Sequence, residues 1–307
     1  MNKTREPNFI IGGTAAGGTS FLSAILVQHP QIYLPKEMRP EPHYFYKSWE
    51  YEKGLNYYLS RWFDDVPQSA IAVGERSSSY FFGGEIVAKR IKEVYPNMKF
   101  ILTLRNPIER TWANYRYTAL QGLESLSFED ALKNEERRIR EQSGEWAEIQ
   151  PYNYTGRGLY AKQIHSFLKF FSAENILFIK SELLSKQTEF ELKKIYKFLK
   201  LTDIDFTFKP APNHTSLSVS DPALQMELRQ YFGDRFDKII EATRKEEGID
   251  NFILSPLDKE KIEQLSENMA GLKKPMPFEA RAVLNEKFSA DIQELSRYVD
   301  FDTSDWN

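Results

Sequence analysis

The sequence predicts an α/β protein in which helices cover both faces of a central parallel sheet, followed by a helical C-terminal extension. Three observations lead to this prediction. Short apolar runs alternate with amphipathic helical patterns from residue 8 to residue 200. The run at 99–104 is apolar nearly throughout, which is typical of a strand buried on both faces. Beyond Asn213, apolar residues recur only at helical spacing.

The individual elements follow from periodicity and from residues that end or begin helices. The predicted strands are 8–11, 70–73, 99–104 and 176–180. The predicted helices are 21–26, 86–95, 107–121, 127–142, 159–171, 189–199, 223–244, 257–272 and 278–298. Because no internal repeat or flexible linker divides the chain, we interpret residues 1–307 as one domain, with a core of about 8–217 and a helical insertion and tail of about 218–307.

Composition and charge exclude several functions. The 41 Lys and Arg residues nearly balance the 44 Asp and Glu residues, so we expect neither nucleic acid nor an anionic membrane surface as a partner. The chain has no cysteine and its 4 histidines are scattered, which disfavours a metal site. No apolar run is long enough to cross a membrane and the N-terminus lacks a signal-peptide pattern, which predicts a cytoplasmic protein.

A glycine-rich segment, Gly13-Thr14-Ala15-Ala16-Gly17-Gly18-Thr19-Ser20, connects the first predicted strand to the first helix. Free backbone N–H groups and the helix dipole favour an anion at such a place, as in P-loop-like folds. The glycine spacing and the final serine match the Walker A pattern, but Thr19 stands where that pattern has its lysine. This favours a site for a 5′-phosphate and its leaving group rather than a triphosphate. A turn that serves only strand-to-helix packing is the alternative.

Arg105 lies between the end of the predicted strand 99–104 and a helix that begins with Asn106 as N-cap. A guanidinium beside a helix N-terminus can bind a phosphate bidentately. Arg105 also occupies the position at which many nucleotide hydrolases and kinases have an aspartate that helps to bind magnesium. A surface arginine paired with a nearby carboxylate is the alternative interpretation.

Two further segments carry groups suited to acid–base chemistry. Glu41-Pro42-His43-Tyr44-Phe45 combines a carboxylate and an imidazole in a proline-stiffened stretch, where a general base can be held rigidly. Glu75-Arg76-Ser77-Ser78-Ser79-Tyr80 follows the second predicted strand and offers charges and hydroxyls at its carboxyl end. A solvated loop in the first case, and a helix-capping cluster in the second, are the alternatives.

In this order, the glycine-rich segment, Glu41 to Phe45, Glu75-Arg76 and Leu104-Arg105-Asn106-Pro107 resemble the sulfotransferases that use 3′-phosphoadenosine-5′-phosphosulfate (PAPS). The similarity is to the bacterial group and to the heparan sulfate O- and N-sulfotransferases. It covers about residues 8–217 in register, and 281–306 resembles the bacterial C-terminal end. The resemblance implies a three-layer P-loop-like fold, PAPS as donor without a metal, and a small-molecule or carbohydrate acceptor.

The resemblance also implies roles for single residues. The implied catalytic residues are Glu41 as base, His43 beside it and Arg76 on the acceptor side. The implied nucleotide-binding residues are Thr14, Ala15, Ala16, Gly17, Gly18, Thr19 and Ser20 at the 5′-phosphosulfate, Arg105 and Asn114 at the 3′-phosphate, Tyr160 at the border of the nucleotide, and Ser216 in a second loop that closes over the 3′-phosphate.

The chain departs from the family pattern at three places, one of which is the stretch of about 217–275, for which we find no counterpart in the family. Ala16 replaces the lysine that the glycine loop often carries, so that Lys36 or Arg39 is a candidate for the missing cation. Ala113 replaces the serine that partners the arginine at the 3′-phosphate, with Asn114 beside it as a substitute. A P-loop kinase or nucleotide hydrolase, and a sulfotransferase fold that binds a nucleotide without turnover, are the two alternatives to an active sulfotransferase.

Overall fold

In the computed structural model, the described residues are 5–36, 41–202, 209, 218–245, 247–270 and 275–306. They belong to two compact units. The first unit lies within Met1–Arg110, Gly156–Asn213 and Lys287–Asn307. The second unit lies within Thr111–Thr155 and His214–Glu286.

The first unit contains a 5-stranded sheet in which all neighbouring strands are parallel, in the order β2-β3-β1-β4-β5. Its strands are β1 (Phe9–Gly13), β2 (Ile32–Tyr33), β3 (Ala72–Arg76), β4 (Lys99–Leu104) and β5 (Ile176–Lys180). The predicted α/β class and parallel sheet are thus confirmed, and β4 and β5 have the predicted bounds. The prediction ended the second strand at Val73, but β3 continues through Glu75 and Arg76, because their side chains find buried polar partners.

Helices connect the strands and form most of the second unit. They are α1 (Thr19–Leu26), α2 (Ser48–Tyr51), α3 (Leu55–Trp62), α4 (Gly84–Val94), α5 (Pro107–Leu120), α6 (Phe128–Lys133), α7 (Glu135–Glu141), α8 (Glu145–Ile149), α9 (Tyr160–Leu168), α10 (Ser181–Lys186), α11 (Thr188–Leu199), α12 (Pro222–Phe232), α13 (Phe236–Lys245), α14 (Pro256–Met269) and α15 (Phe278–Leu295). Short 3-10 helices are found at Gly156–Gly158, Ala173–Asn175, Gly233–Arg235, Ile249–Phe252 and Ser304–Trp306.

The two faces of the sheet have different cores. Aliphatic side chains of α1 and α11 pack with Phe9, Ile11 and Ile101 on one face. On the other face Phe100 packs edge-on against Phe167, and further aromatic rings join them. The alternation of residues along β1 and β4 between these faces is what a strand buried on both sides requires.

Two predicted helices are interrupted, so their prediction as continuous helices was wrong. The helix predicted over 127–142 divides into α6 and α7 at Asn134, whose side chain bonds back to the Asp130 carbonyl oxygen. The helix predicted over 223–244 divides at Gly233, which has a φ of 53° that a continuing helix cannot accept. The described part of residues 218–306 contains no strand, as predicted. None of the described helices is long and apolar enough to cross a membrane.

The second unit has its own apolar core. Leu120 at the end of α5 packs with residues of α12, α13 and α14, and Leu228, Phe236 and Leu265 are at most 1% exposed. Gly122 follows α5 with a φ of 64°, and a Cβ there would lie 2.8 Å from the Cβ of Arg229. A glycine is therefore required where this turn approaches α12.

We predict that Gly74→Ala destabilises the first unit by about 1–3 kcal/mol, because an added methyl group overpacks the core. A Cβ at Gly74 would lie 2.4 Å from the ring of Phe9, which is fully buried. Urea unfolding of the single variants and of Gly74→Ala/Phe9→Val measures the effect. The cost of Gly74→Ala should shrink in the Phe9→Val background, and a cost unchanged by that background would show that the clash is not its cause.

Candidate active site

The glycine-rich segment is bonded to the end of β4. The Thr14 N–H donates to the Thr103 carbonyl oxygen (3.0 Å), and the Thr103 hydroxyl donates to the Gly13 carbonyl oxygen (3.2 Å). A Cβ at Gly17 would lie 2.5 Å from the methyl carbon of Thr14 and 2.9 Å from the Thr103 carbonyl oxygen. Only glycine fits at position 17, and the loop therefore follows a single tight path.

This loop ends at the N-terminus of α1. Gly18 has a φ of 94°, and no side chain of the described residues caps the helix. The first-turn N–H groups of α1 therefore have no side-chain cap among the described residues, and the anion site predicted at this place stays a prediction. Ala16, where the family often has lysine, has a φ of 63°. Two guanidinium groups approach the loop: Arg105 donates to the Ala16 carbonyl oxygen (3.3 Å) and Arg110 to that of Ala15 (3.2 Å).

Arg105 occupies the predicted position between β4 and α5. Asn106 caps α5, since its side-chain oxygen accepts from the Ile108 N–H (2.9 Å) and the Glu109 N–H (3.3 Å). The Tyr160 hydroxyl donates to the Arg105 carbonyl oxygen (2.8 Å), which places Tyr160 next to Arg105. The backbone that carries Arg105 is therefore fixed from two sides.

Glu41 and Arg76 form a nearly buried ion pair. Arg76 Nε lies 3.1 Å from Glu41 Oε1, and the side chains are 6% and 16% exposed. The other oxygen, Glu41 Oε2, accepts hydrogen bonds from the N–H and the hydroxyl of Ser78, both at 2.8 Å. Arg76 also donates to the Ser20 hydroxyl (2.6 Å) on the first turn of α1. One guanidinium thus joins the predicted base to the predicted phosphate loop.

Electrostatics hold Glu41 as a carboxylate. Burial favours its neutral form, but the hydrogen bond and charge of His43, together with the charge of Arg76, outweigh burial and lower the pKa of Glu41 to about 2. His43 Nε2 lies 3.2 Å from Glu41 Oε2. The Nδ1 atom of His43 is buried and has no hydrogen-bond partner among the described residues. The structure therefore brings Glu41, His43 and Arg76 together, as the resemblance implied. We call residues 41–45 the base segment.

Glu75 is a buried carboxylate that the sequence analysis did not single out by itself. Its side chain is 0% exposed and accepts hydrogen bonds from the hydroxyls of Tyr58, Ser77 and Tyr80. Burial raises the pKa of Glu75 to about 7, although these hydrogen bonds oppose the shift. In a sequence, a charged residue at the end of an apolar run ordinarily indicates exposure to solvent. The hydroxyl-rich sequence that follows Glu75, from Ser77 to Tyr80, is the signal that could have indicated a buried carboxylate.

Several residues singled out from the sequence lie elsewhere or outside the described part. Asn114 lies on α5 within the second unit, and its side-chain amide donates to the Thr118 hydroxyl (3.4 Å). Ser216 and Arg39 lie outside the described residues. Lys36 is exposed, with its ammonium group 3.9 Å from an Asp65 carboxylate oxygen. The cations seen near the glycine loop are instead arginines, namely Arg76, Arg105 and Arg110.

A model of the sulfotransferase domain matches residues 6–218. Heparan sulfate glucosamine 3-O-sulfotransferase 3B1 of Mus musculus is 32% identical over 209 residues, which cover 66% of this chain and 49% of the mouse protein. Bifunctional heparan sulfate N-deacetylase/N-sulfotransferase 1 of Caenorhabditis briggsae is 25% identical over 210 residues, or 67% of this chain and 24% of that protein. The chain thus spans about half or less of the length of these two relatives.

Among solved structures, a sulfotransferase from Alicyclobacillus acidocaldarius superposes with a TM-score of 0.68 and 24% identity, covering 98% of this chain and 99% of that one. The fold is therefore that of the sulfotransferases. Because the domain match extends over more than half of the chain, this protein belongs to the sulfotransferase domain family. The resemblance inferred from the motifs is confirmed at the level of the family. The roles of individual residues stay predictions.

We predict that Glu41→Gln lowers the free energy of unfolding at pH 7 by about 3 kcal/mol. This is the free energy that corresponds to a pKa that falls from 4.5 to about 2 on folding. The carboxylate stabilises the fold above pH 4.5, and this contribution is lost as the pH falls towards 2. The difference between variant and wild type should therefore shrink below pH 4.5. Urea unfolding at several pH values measures it.

Glu85→Gln is the control for this experiment, because it removes an exposed carboxylate that pairs with Lys169. We expect it to change the stability by less than about 1 kcal/mol at any of these pH values. Equal stability of wild type and Glu41→Gln at pH 7 would contradict the stabilising role of the ion pair with Arg76.

Proposed function

We propose that this protein is a PAPS-dependent sulfotransferase, which moves a sulfuryl group from PAPS to a hydroxyl of a carbohydrate or small-molecule acceptor and releases adenosine 3′,5′-bisphosphate (PAP). One observation carries this proposal. The Arg76 guanidinium contacts both the Ser20 hydroxyl (2.6 Å), at the uncapped N-terminus of α1, and the Glu41 carboxylate (3.1 Å). Transfer of a sulfuryl group from one oxygen to another needs an anion site for the donor and a base for the acceptor. Here both lie within reach of one guanidinium.

The residues around the glycine loop fit the 5′-phosphosulfate of the donor. The loop backbone and the first turn of α1 offer N–H groups, and the hydroxyls of Thr19 and Ser20 stand at the same place. These donors can stabilise the negative charge that grows on the departing 5′-phosphate. Arg76, which bonds Ser20, supplies the positive charge that the lysine-free loop lacks. Arg105, beside the N-terminus of α5, is the proposed site of the 3′-phosphate.

Glu41 is the proposed proton acceptor. As the acceptor oxygen bonds to sulfur, the bond between sulfur and the 5′-phosphate oxygen breaks, and the acceptor proton passes to Glu41. A carboxylate with a pKa of about 2 is a weak base, but a hydroxyl oxygen that is forming a bond to sulfur becomes a strong acid. His43, 3.2 Å from Glu41, orients the acceptor. The buried Nδ1 of His43, which has no partner among the described residues, makes it the alternative base.

The relatives suggest the class of acceptor. Their names place the transferred group on heparan sulfate, a carbohydrate, at an oxygen in the mouse protein and at a nitrogen in the nematode protein. We propose a hydroxyl of a sugar or of a small molecule for this chain, with an amine as the less favoured acceptor. The carboxylate of Glu41 can take the proton that a hydroxyl loses as its oxygen bonds to sulfur.

We predict that PAP binds at least about tenfold more tightly than AMP, because a charge-assisted phosphate contact contributes about 1.5–3 kcal/mol. Arg105→Ala should remove most of this preference by weakening PAP and leaving AMP nearly unchanged. Isothermal titration at fixed ionic strength measures both nucleotides. Arg137→Ala, which removes an exposed arginine paired with Glu141, is the matched control and should change neither affinity.

The same titrations test the alternatives. Equal affinities of the wild type for PAP and AMP would contradict a 3′-phosphate site. Tighter binding of ATP with magnesium than of PAP would favour a kinase or nucleotide hydrolase. A loss of both PAP and AMP binding in Arg105→Ala would show that Arg105 supports the fold rather than the 3′-phosphate.

We predict that Glu41→Gln lowers turnover of PAPS by about 10²- to 10⁴-fold while the affinity for PAP changes little, since the amide keeps the shape but loses the basicity. A panel of sugar and phenol acceptors with radiolabelled PAPS measures turnover. His43→Ala should reduce turnover less. An active Glu41→Gln beside an inactive His43→Ala would assign the base to His43, and full turnover in both variants would remove the base segment from catalysis.

A further inference from the structure

Within the described part of the chain, the side chain of Glu75 accepts hydrogen bonds from three hydroxyl groups. The hydroxyls of Tyr58 and Tyr80 donate to its Oε1 at 2.8 and 2.7 Å, and the hydroxyl of Ser77 donates to its Oε2 at 2.6 Å. The side chain is 0% exposed, so no bulk water takes part in this arrangement. The proposed transfer reaction does not use this carboxylate, although it directly precedes Arg76 on β3.

Two of the three hydroxyls also contact the base segment. The Ser77 hydroxyl oxygen accepts a hydrogen bond from the His43 N–H (2.9 Å), and the Tyr80 hydroxyl oxygen accepts one from the Phe45 N–H (3.2 Å). A hydroxyl has one proton to donate. An ionised carboxylate can only accept hydrogen bonds, so the hydroxyls of Ser77 and Tyr80 both donate their protons to Glu75. A lone pair of each hydroxyl oxygen then accepts from a backbone N–H of the base segment.

We propose that Glu75 is a positioning residue that holds the base segment in place through the hydroxyls of Ser77 and Tyr80. This inference rests on the proposed function, because it is the sulfuryl transfer that gives Glu41 and His43 their task. Glu75 itself touches neither the donor nor the acceptor in this proposal.

The backbone of the base segment needs such support. His43 has a φ of 47°, in the left-handed region that a residue with a side chain adopts only at a cost. The hydrogen bond from its N–H to Ser77 holds this conformation on one side. On the other side the His43 carbonyl oxygen accepts from the N–H groups of Tyr46 (3.0 Å) and Lys47 (2.9 Å). Loss of the Ser77 contact frees one side of a strained residue whose ring faces Glu41.

The titratable groups that face Glu75 are the Glu41 carboxylate and the phenols of Tyr58, Tyr80 and Tyr95. Burial raises the pKa of all three phenols, so they stay neutral near pH 7. Glu75, by contrast, takes up a proton near neutrality. A protonated carboxyl group must itself donate, and it then competes with the hydroxyl protons directed at it. Acidification through pH 7 therefore loosens the base segment.

The first test is Glu75→Gln in the full-length protein, assayed with PAPS and an accepted hydroxyl compound. We expect kcat at pH 8 to fall by about 10- to 100-fold, because a small displacement of a base costs that much, while KM for PAPS and the affinity for PAP stay unchanged. The fall of wild-type kcat on acidification through pH 7 should be absent in the variant. Glu135→Gln is the matched control, since Glu135 is also buried and accepts from the Thr155 hydroxyl, but within the second unit.

The second test compares two tyrosines that each donate one hydroxyl to Glu75 Oε1. Tyr80→Phe removes the hydroxyl that also accepts from the Phe45 N–H, whereas Tyr58→Phe removes one that donates to Glu75 alone. We expect kcat to fall at least about fivefold further in Tyr80→Phe than in Tyr58→Phe. The proton NMR signals of the His43 ring at a fixed pH, identified by their loss in His43→Ala, give a readout without turnover: their chemical shifts should change in Glu75→Gln and Tyr80→Phe but not in Glu135→Gln.

Unchanged kcat and unchanged chemical shifts of the His43 ring in Glu75→Gln would overturn this inference. So would a loss of kcat that merely parallels a loss of folded protein in unfolding curves, or equal effects of Tyr80→Phe and Tyr58→Phe. The proposed function fails in a different way, through an active Glu41→Gln or the absence of PAP binding by the wild type. A sulfotransferase with an inactive Glu41→Gln and a wild-type-like Glu75→Gln would retain its function and refute the positioning role alone.

Discussion

The candidate active site depends on the ion pair between Arg76 and Glu41. A guanidinium that is almost excluded from water needs a carboxylate, and removal of either partner leaves a buried charge without compensation. Arg76 also donates to the Ser20 hydroxyl (2.6 Å), on the first turn of α1, and to the Ser23 hydroxyl (3.4 Å). The pair therefore has two effects: it keeps the Glu41 carboxylate ionised, and it ties Glu41, which lies between β2 and α2 in the chain, to the first turn of α1.

The pKa values of the two carboxylates Glu41 and Glu75 are shifted in opposite directions. Cations and N–H groups surround Glu41, which keeps it ionised, whereas hydroxyls and aromatic rings surround Glu75, which brings its pKa close to 7. The difference comes from the neighbours and not from the residue type. Such divergence between neighbouring acids is common where one group does chemistry and another shapes its surroundings.

The sequence predicted the parts whose signals are local. β4 and β5 are short apolar runs with clear ends, and Asn106 has the side chain and the position of a helix cap, so both were found. The burial of Glu75 was not found in this way, because one of its hydroxyl partners, Tyr58, comes from a separate segment and a charge at the end of a strand ordinarily indicates exposure to solvent. The hydrophobic periodicity did not reveal the end of the helix at Gly233, because the apolar pattern continues in phase beyond this residue.

The attachment of the glycine loop to the end of β4 has a consequence for selectivity. Thr14 and Gly13 bond to Thr103, and Arg105 follows two residues later on a backbone held by its helix cap and by Tyr160. The distance from the loop amides to the backbone of Arg105 is therefore set by main-chain geometry. Under the proposed function, in which the loop amides and Arg105 bind the two phosphate groups of PAP, this fixed separation selects ligands by the distance between their two anionic groups.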